Sequence, residues 1–126
     1  MEQHREEILS LLTRINNAWS QGRPLELNQY FDDQMVIRGP QFQEMGRGRE
    51  ACVRSYVDFL NNAKVHQFSL GEVQVDLHGD TAMATYPWEM TYELQSGTYT
   101  ESGYDLFVFS HASGAWRAIW RAMLVK

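Results

Sequence analysis

The stretch Thr81-Ala82-Met83-Ala84-Thr85-Tyr86-Pro87-Trp88-Glu89-Met90-Thr91-Tyr92-Glu93-Leu94 decides the fold. Ala82, Ala84, Tyr86, Trp88, Met90, Tyr92 and Leu94 fall on one side, and Thr85, Glu89, Thr91 and Glu93 on the other. A strand sends successive side chains to opposite faces, so this is a long strand with one strongly aromatic face. The C-terminal stretch repeats the pattern. Trp116, Ala118, Trp120, Ala122 and Leu124 alternate with Arg117, Ile119, Arg121 and Met123, which puts the tryptophans inward and the arginines outward. Outward Arg and Glu residues predict cross-strand ion pairs on the surface, each contributing about 0–1 kcal/mol.

Strand-like segments are predicted over 65–77, 80–94, 98–110 and 115–125, separated by His78-Gly79-Asp80, Gln95-Ser96-Gly97 and Ala112-Ser113-Gly114. Breaks this short join antiparallel neighbours, because a parallel pair needs a crossover of about a dozen residues or more. The N-terminal half has a different period. Ile8, Leu11, Leu12, Ile15, Ala18 and Trp19 form one helical stripe, with Asn16 and Asn17 largely off it, predicting a helix over 3–20. Gly22 stops it and Pro24 opens a short second helix over 24–30. Met35-Val36-Ile37 reads as a short strand, 41–48 as a loop, and Cys52, Val53, Tyr56, Val57 and Leu60 as the buried stripe of a third helix over 48–63. The architecture is α+β, with three N-terminal helices packed on a curved antiparallel sheet.

Length and composition narrow the functional classes. With 126 residues the chain forms one domain over 1–126, and 44% apolar with 21% charged residues is a globular balance. A net charge of −5 argues against duplex nucleic acid and anionic membrane surfaces as partners. No apolar run approaches the roughly 20 residues that span a bilayer, and Met1–Glu7 lacks the basic start and apolar stretch of a signal peptide. The lone cysteine, Cys52, excludes an internal disulfide framework and points to a reducing, cytoplasmic setting. On the helix stripe it reads as a small core residue. His4, His66, His78 and His111 lack metal-ligand spacing, so no metal and no other cofactor is expected. Gly46-x-Gly48 precedes a helix outside any βαβ unit and reads only weakly as a phosphate cradle.

The order helix–helix–strand–helix–four long strands resembles the nuclear transport factor 2-like (NTF2-like) superfamily, which includes ketosteroid isomerase and the polyketide-cyclase-like SnoaL proteins. The stretches that carry the resemblance are Tyr30-Phe31-Asp32-Asp33, Gly48-Arg49-Glu50, Gly79-Asp80-Thr81-Ala82 and Trp116-Arg117-Ala118-Ile119-Trp120-Arg121. It implies a cone-shaped half-barrel enclosing a pocket, commonly in a homodimer. Ketosteroid isomerase combines a carboxylate base with a tyrosine and a protonated aspartic acid that stabilise the oxyanion. By that resemblance the base falls on Gly39, the oxyanion tyrosine on Ile15 and a supporting tyrosine on Phe31, so the isomerase base is missing. Tyr56 and Asp105 fall on a network tyrosine and the oxyanion-hole aspartate.

Asp105 is in register with Phe107 and Phe109, so its carboxyl points inward among aromatic rings. There it is either desolvated, which raises its pKa, or held ionised by donors such as Tyr56 or a tryptophan N–H. Asp105 as acid, base or hydrogen-bond donor, supported by Tyr56, is the candidate catalytic pair. Trp19, Trp88, Trp120 and Phe107 are the candidate apolar walls, with simple core packing as the other reading of each aromatic residue. Arg38 and Glu101 join them only if the local alternation turns them inward. The leading functional expectation is a pocket domain for a small, mainly apolar organic molecule, with cofactor-independent isomerase, cyclase or dehydratase chemistry. The alternative is a noncatalytic dimerisation or protein-association module.

Overall fold

The computed structural model describes residues 2–125. Helix α1 (Glu2–Ser20) buries Ile8, Leu11, Leu12, Ile15, Ala18 and Trp19, the stripe expected from the sequence. Asn16, expected off that stripe, is also buried. Gly22, at φ +84°, turns the chain into a six-residue 3-10 helix, Pro24–Gln29. Strand β1 (Phe31–Arg38) is longer than the predicted Met35–Ile37, because exposed Asp33 and Gln34 belong to it. The predicted loop contains a four-residue strand, β2 (Glu44–Arg47), paired antiparallel with β1. Helix α2 (Arg49–Asn62) buries Cys52, Val53 and Tyr56.

The remaining strands are β3 (Lys64–Leu70), β4 (Gln74–His78), β5 (Thr81–Leu94), β6 (Gly97–Ser110) and β7 (Arg117–Val125). They form a seven-stranded sheet in the order β2-β1-β7-β6-β5-β3, with β4 also paired to β5. The sheet is curved and does not close. Its pairings are antiparallel except β1 with β7, which is parallel, so the sheet is mixed where an antiparallel one was expected. The predicted strand over 65–77 is split between β3 and β4. The cause lies opposite the break: Pro87 in mid-β5 has no N–H to offer that edge and keeps only its carbonyl, which accepts from Gly71 N at 2.8 Å. A Cβ on Gly71 would lie 2.6 Å from Pro87 Cγ.

A second irregularity determines the site. Phe109 pairs with Ala118 and Val108 with Trp120, so Ile119 is an extra, bulged residue in β7. Beyond a one-residue insertion the side chains exchange faces. Arg121 stands opposite Phe107, and Met123 opposite Asp105, on the inner face; Trp120, Ala122 and Leu124 stand opposite Val108, Leu106 and Tyr104 on the outer one. This corrects the expected alternation, which placed Trp120 inside and Arg121 outside. The expected surface Glu–Arg pairs are accordingly absent at Arg121, which pairs with Asp105 instead, while Arg117 donates to Gln29 O.

Candidate functional site

The inner face of β5, β6 and β7, together with α1 and α2, surrounds a hydrogen-bonded chain of buried polar groups. Asp105 is 1% exposed. Its Oδ2 accepts from Tyr86 Oη at 2.7 Å, and Arg121 Nη2 donates to both carboxylate oxygens at 3.0 Å. Arg121 Nη1 donates to Tyr56 Oη at 2.8 Å. On the other side Asn16 Nδ2 donates to Tyr86 Oη at 3.3 Å, while Asn16 Oδ1 accepts from Trp19 Nε1 at 2.9 Å. The network thus ties α1 to β5, β6, β7 and α2, and fixes the orientation of every polar group in it.

Of the two surroundings open to Asp105, dry apolar walls or a cluster of donors, the structure has the second. The donors are Arg121 and Tyr86; Tyr56 reaches Asp105 only through Arg121. Burial would lower the Arg121 pKa, but the Asp105 carboxylate, together with Tyr56 and Tyr86, more than offsets this and holds the guanidinium firmly charged. Burial pushes the Tyr56 hydroxyl up to about 12. Burial, then the adjacent Asp105 charge, carries Tyr86 well above the ordinary tyrosine range. Both phenols are therefore neutral donors at physiological pH.

A cavity of about 150 Å³ opens beside this network. Trp19, Phe59, Phe68, Trp88 and Met90 supply apolar wall, and Tyr56, Arg121, Ser55 and Glu101 supply polar atoms. Met45 and Glu101 also line it and are exposed, so they mark its solvent side. The wall is preorganised by ring packing: Trp19 contacts Phe68 edge-on at 4.9 Å and Phe68 stacks on Trp88 at 6.2 Å. Trp88 can lie flat here because Gly103 faces it; a Cβ at that position would come within 2.8 Å of Trp88 Cζ2 and collide with the Leu124 carbonyl.

The sequence candidates separate accordingly. Trp19, Trp88 and Tyr56 line the cavity. Asp105 lies behind Arg121. Phe107 is fully buried, with its ring 5.7 Å from the Arg121 guanidinium carbon, and forms a floor under that group. Trp120 faces away, for the reason given by the Ile119 bulge. Glu101 is on the inner face, opposite Met90. Arg38 instead donates to Phe42 O on the far side of β1. His66 pairs with Glu93 at 2.9 Å on the surface. Arg121 is the site residue that strict alternation misses. A signal for it exists: an inward aspartate in register with Phe107 and Phe109 calls for donors or a cation, and the adjacent strand offers few.

At Gly39 the space a side chain would enter is filled by the Met45 thioether. Among the described residues no group of three His, Cys, Asp or Glu side chains is arranged to hold a metal, and no helix is long and apolar enough to cross a membrane.

An open curved sheet folded around a helix-covered cavity is the NTF2-like arrangement, and structural comparison agrees. A proposed dehydratase of the NTF2-like family from Streptomyces avermitilis superimposes with a TM-score of 0.86 at 18% identity, covering 100% of this chain and 99% of that one. An NTF2-like protein from Cytophaga hutchinsonii gives 0.81 at 16% identity, covering 97% and 98%. A proposed Ca/calmodulin-dependent kinase II association domain from Exiguobacterium sibiricum gives 0.82 at 13% identity, covering 98% and 93%. At these identities the likeness concerns the fold. No curated protein matches the sequence. The family model for the SnoaL-like domain matches residues 8–120, and the chain belongs to that family, within the NTF2-like superfamily.

Proposed function

We propose that this SnoaL-like domain binds a small, mainly apolar organic molecule in the cavity and moves a proton on it without a cofactor, as an isomerase, cyclase or dehydratase does. The observation that carries this reading is the combination of an aromatic wall with charged groups of opposite sign on one cavity, Arg121 at the Asp105–Tyr56 network and Glu101 toward solvent. In this scheme Arg121 and Tyr56 stabilise negative charge developing on the ligand, and Asp105 is a positioning residue that holds Arg121. Glu101 is the carboxylate placed to exchange a proton, since Asp105 is occupied by its two partners. Trp19 and Trp88 exclude water, which strengthens each electrostatic contact.

The test is direct. Small apolar fragments added to ¹⁵N-labelled protein should shift the indole N–H signals of Trp19 and Trp88 while leaving that of Trp120 unchanged. Shifts confined to Trp120 or to surface amides would sink the pocket reading.

The outer sheet face supports a homodimer. Val36, Leu106, Val108, Trp120 and Leu124 cluster there, and Leu124 is 37% exposed. Native mass spectrometry should give a dimer for the wild type and a monomer for Leu124→Glu; a wild-type monomer at micromolar concentration would exclude the pairing. A purely associative role would leave the cavity without a ligand, so the fragment experiment also separates the two classes of function.

A further inference from the structure

The first turn of α1 meets the turn between β6 and β7 in a cluster of three rings. His4 packs edge-on against Trp116 with centroids 5.6 Å apart, and His111 lies 5.6 Å from His4 and 5.0 Å from Trp116. The backbone N–H of His111 donates to Asp80 O at 2.8 Å, which fixes that turn on the one between β4 and β5. Nothing in their spacing joins His4 to His111; the fold does.

One atom in this cluster has two incompatible partners. Trp116 Nε1 donates to His4 Nδ1 at 3.3 Å, and the same Nδ1 lies 3.0 Å from Glu7 Oε1. An indole N–H can only donate, so the first contact needs a bare Nδ1. An ionised carboxylate can only accept, so the second needs a proton on Nδ1. Which of the two bonds exists is decided by that single proton.

Burial decides which bond the neutral ring keeps. Trp116 is 9% exposed, whereas the Glu7 side chain is 45% exposed and can be satisfied by water. Leaving the buried N–H unpaired is the costlier choice, so neutral His4 accepts from Trp116 through Nδ1 and carries its hydrogen on Nε2. A second proton can then go only to Nδ1. It ends the Trp116 bond and puts in its place an ion pair with Glu7, within α1 itself. His111, the other titratable ring of the cluster, acts in the same direction, because two charged imidazoles this close repel. Arg5 is turned away, donating to Val75 O at 2.6 Å, and Asp80 meets the cluster through its backbone oxygen.

We propose that His4 is a proton-controlled latch, which ties the start of α1 to the β6–β7 turn when neutral and releases it when protonated. Imidazole is the side chain that ordinarily changes charge between about pH 5 and 8, so mild acid is the signal. The release is local, since the Arg5 bond to Val75 O has no titratable acceptor and stays in place. This inference is independent of the pocket reading.

The test is ¹⁵N NMR of the full chain at about pH 8 and about pH 5, the two ends of the imidazole range. At the higher pH His4 Nδ1 should resonate as a bare nitrogen and show a coupling to Trp116 Nε1 through the hydrogen bond. At the lower pH that coupling should vanish, Nδ1 should resonate as protonated, and the Trp116 indole signal should move while that of Trp19 stays. A protonated Nδ1 at the higher pH overturns the latch, because the Trp116 bond would not be there to break. A coupling that survives at the lower pH overturns it too. Trp19 moving together with Trp116 means a general loosening in acid, and also overturns it. In His4→Gln an amide oxygen can accept from Trp116 at either pH, so the Trp116 signal should lose its pH dependence. If that dependence persists, His111 is the titrating group and the assignment to His4 fails. The wild-type measurement on His4 needs no variant, so it decides even if His4→Gln folds poorly.

Discussion

Arg121 Nη2 lies 3.0 Å from each oxygen of Asp105, and this pair is buried, with side-chain exposures of 12% and 1%. It exists because one bulged residue, Ile119, turns the end of β7 over. A buried ion pair is weak evidence for net stability, but removing one member leaves an uncompensated charge.

Arg121→Met should therefore destabilise the fold by about 3–5 kcal/mol, and Asp105→Leu by a similar amount. The double variant Asp105→Leu/Arg121→Met should lose clearly less than the sum, because it strands no charge. Urea unfolding of all four proteins measures the coupling. Additive losses would mean that the two side chains do not act as a pair.

How much of this was legible follows from what each signal depends on. The α1 stripe and the inward direction of Asp105 rest on unbroken periodicity, so Ile15, Trp19 and Asp105 could be placed from the sequence. The sequence reading stops β1 short because Asp33 and Gln34 resemble turn residues; they lie in the register break between Phe31 and Val36, outside the pairing with β2, and are exposed. Arg121 and Trp120 were exchanged because a bulge shifts the period by one without a distinctive residue to mark it. The parallel β1–β7 pairing is a long-range contact that local pattern does not encode. Trp19 and Trp88 were thus visible as walls, whereas Phe59, Phe68 and the central cation were not.

Tyr56, raised to about 12, and Tyr86, raised well above the ordinary tyrosine range, make the protein alkali-sensitive. Both hold their protons more tightly when folded than when unfolded. Their contribution is fully present below the unfolded value of about 10 and is lost as pH rises through the folded values. Cys52, raised from 9.0 to about 11 by burial, acts in the same direction from slightly lower pH. Absorbance at 295 nm should show Tyr56 and Tyr86 ionising only together with unfolding, above pH 10. Reversible ionisation of either near pH 10 with the fold intact would contradict the buried network.

Gly103 is the contact that lets Trp88 form the cavity wall. In Gly103→Ala the new methyl meets the Leu124 carbonyl and Trp88 Cζ2, so β7 or the indole must move. The expected cost is about 1–3 kcal/mol, typical of overpacking, with a shifted tryptophan emission spectrum. Unchanged stability and emission would show that the Trp88 position is not constrained by Gly103.

Glu101 gives the sharpest test of chemistry. It is exposed, lines the cavity, and is free of the ion pair that occupies Asp105. If it carries a proton to and from carbon, the wild type should speed exchange of the 4-fluoroacetophenone methyl hydrogens with D₂O, read by loss of the methyl ¹H signal. Positioned acid–base groups contribute about 10²–10⁴ in rate. Glu101→Gln should therefore slow the exchange at least about a hundredfold while leaving ketone affinity within about twofold, since the amide is nearly isosteric. Glu101→Asp, which retains the carboxylate at shorter reach, should recover part of the rate. Equal exchange in wild type and Glu101→Gln would remove Glu101 from the mechanism. An equal loss of binding and exchange would instead assign it to ligand retention.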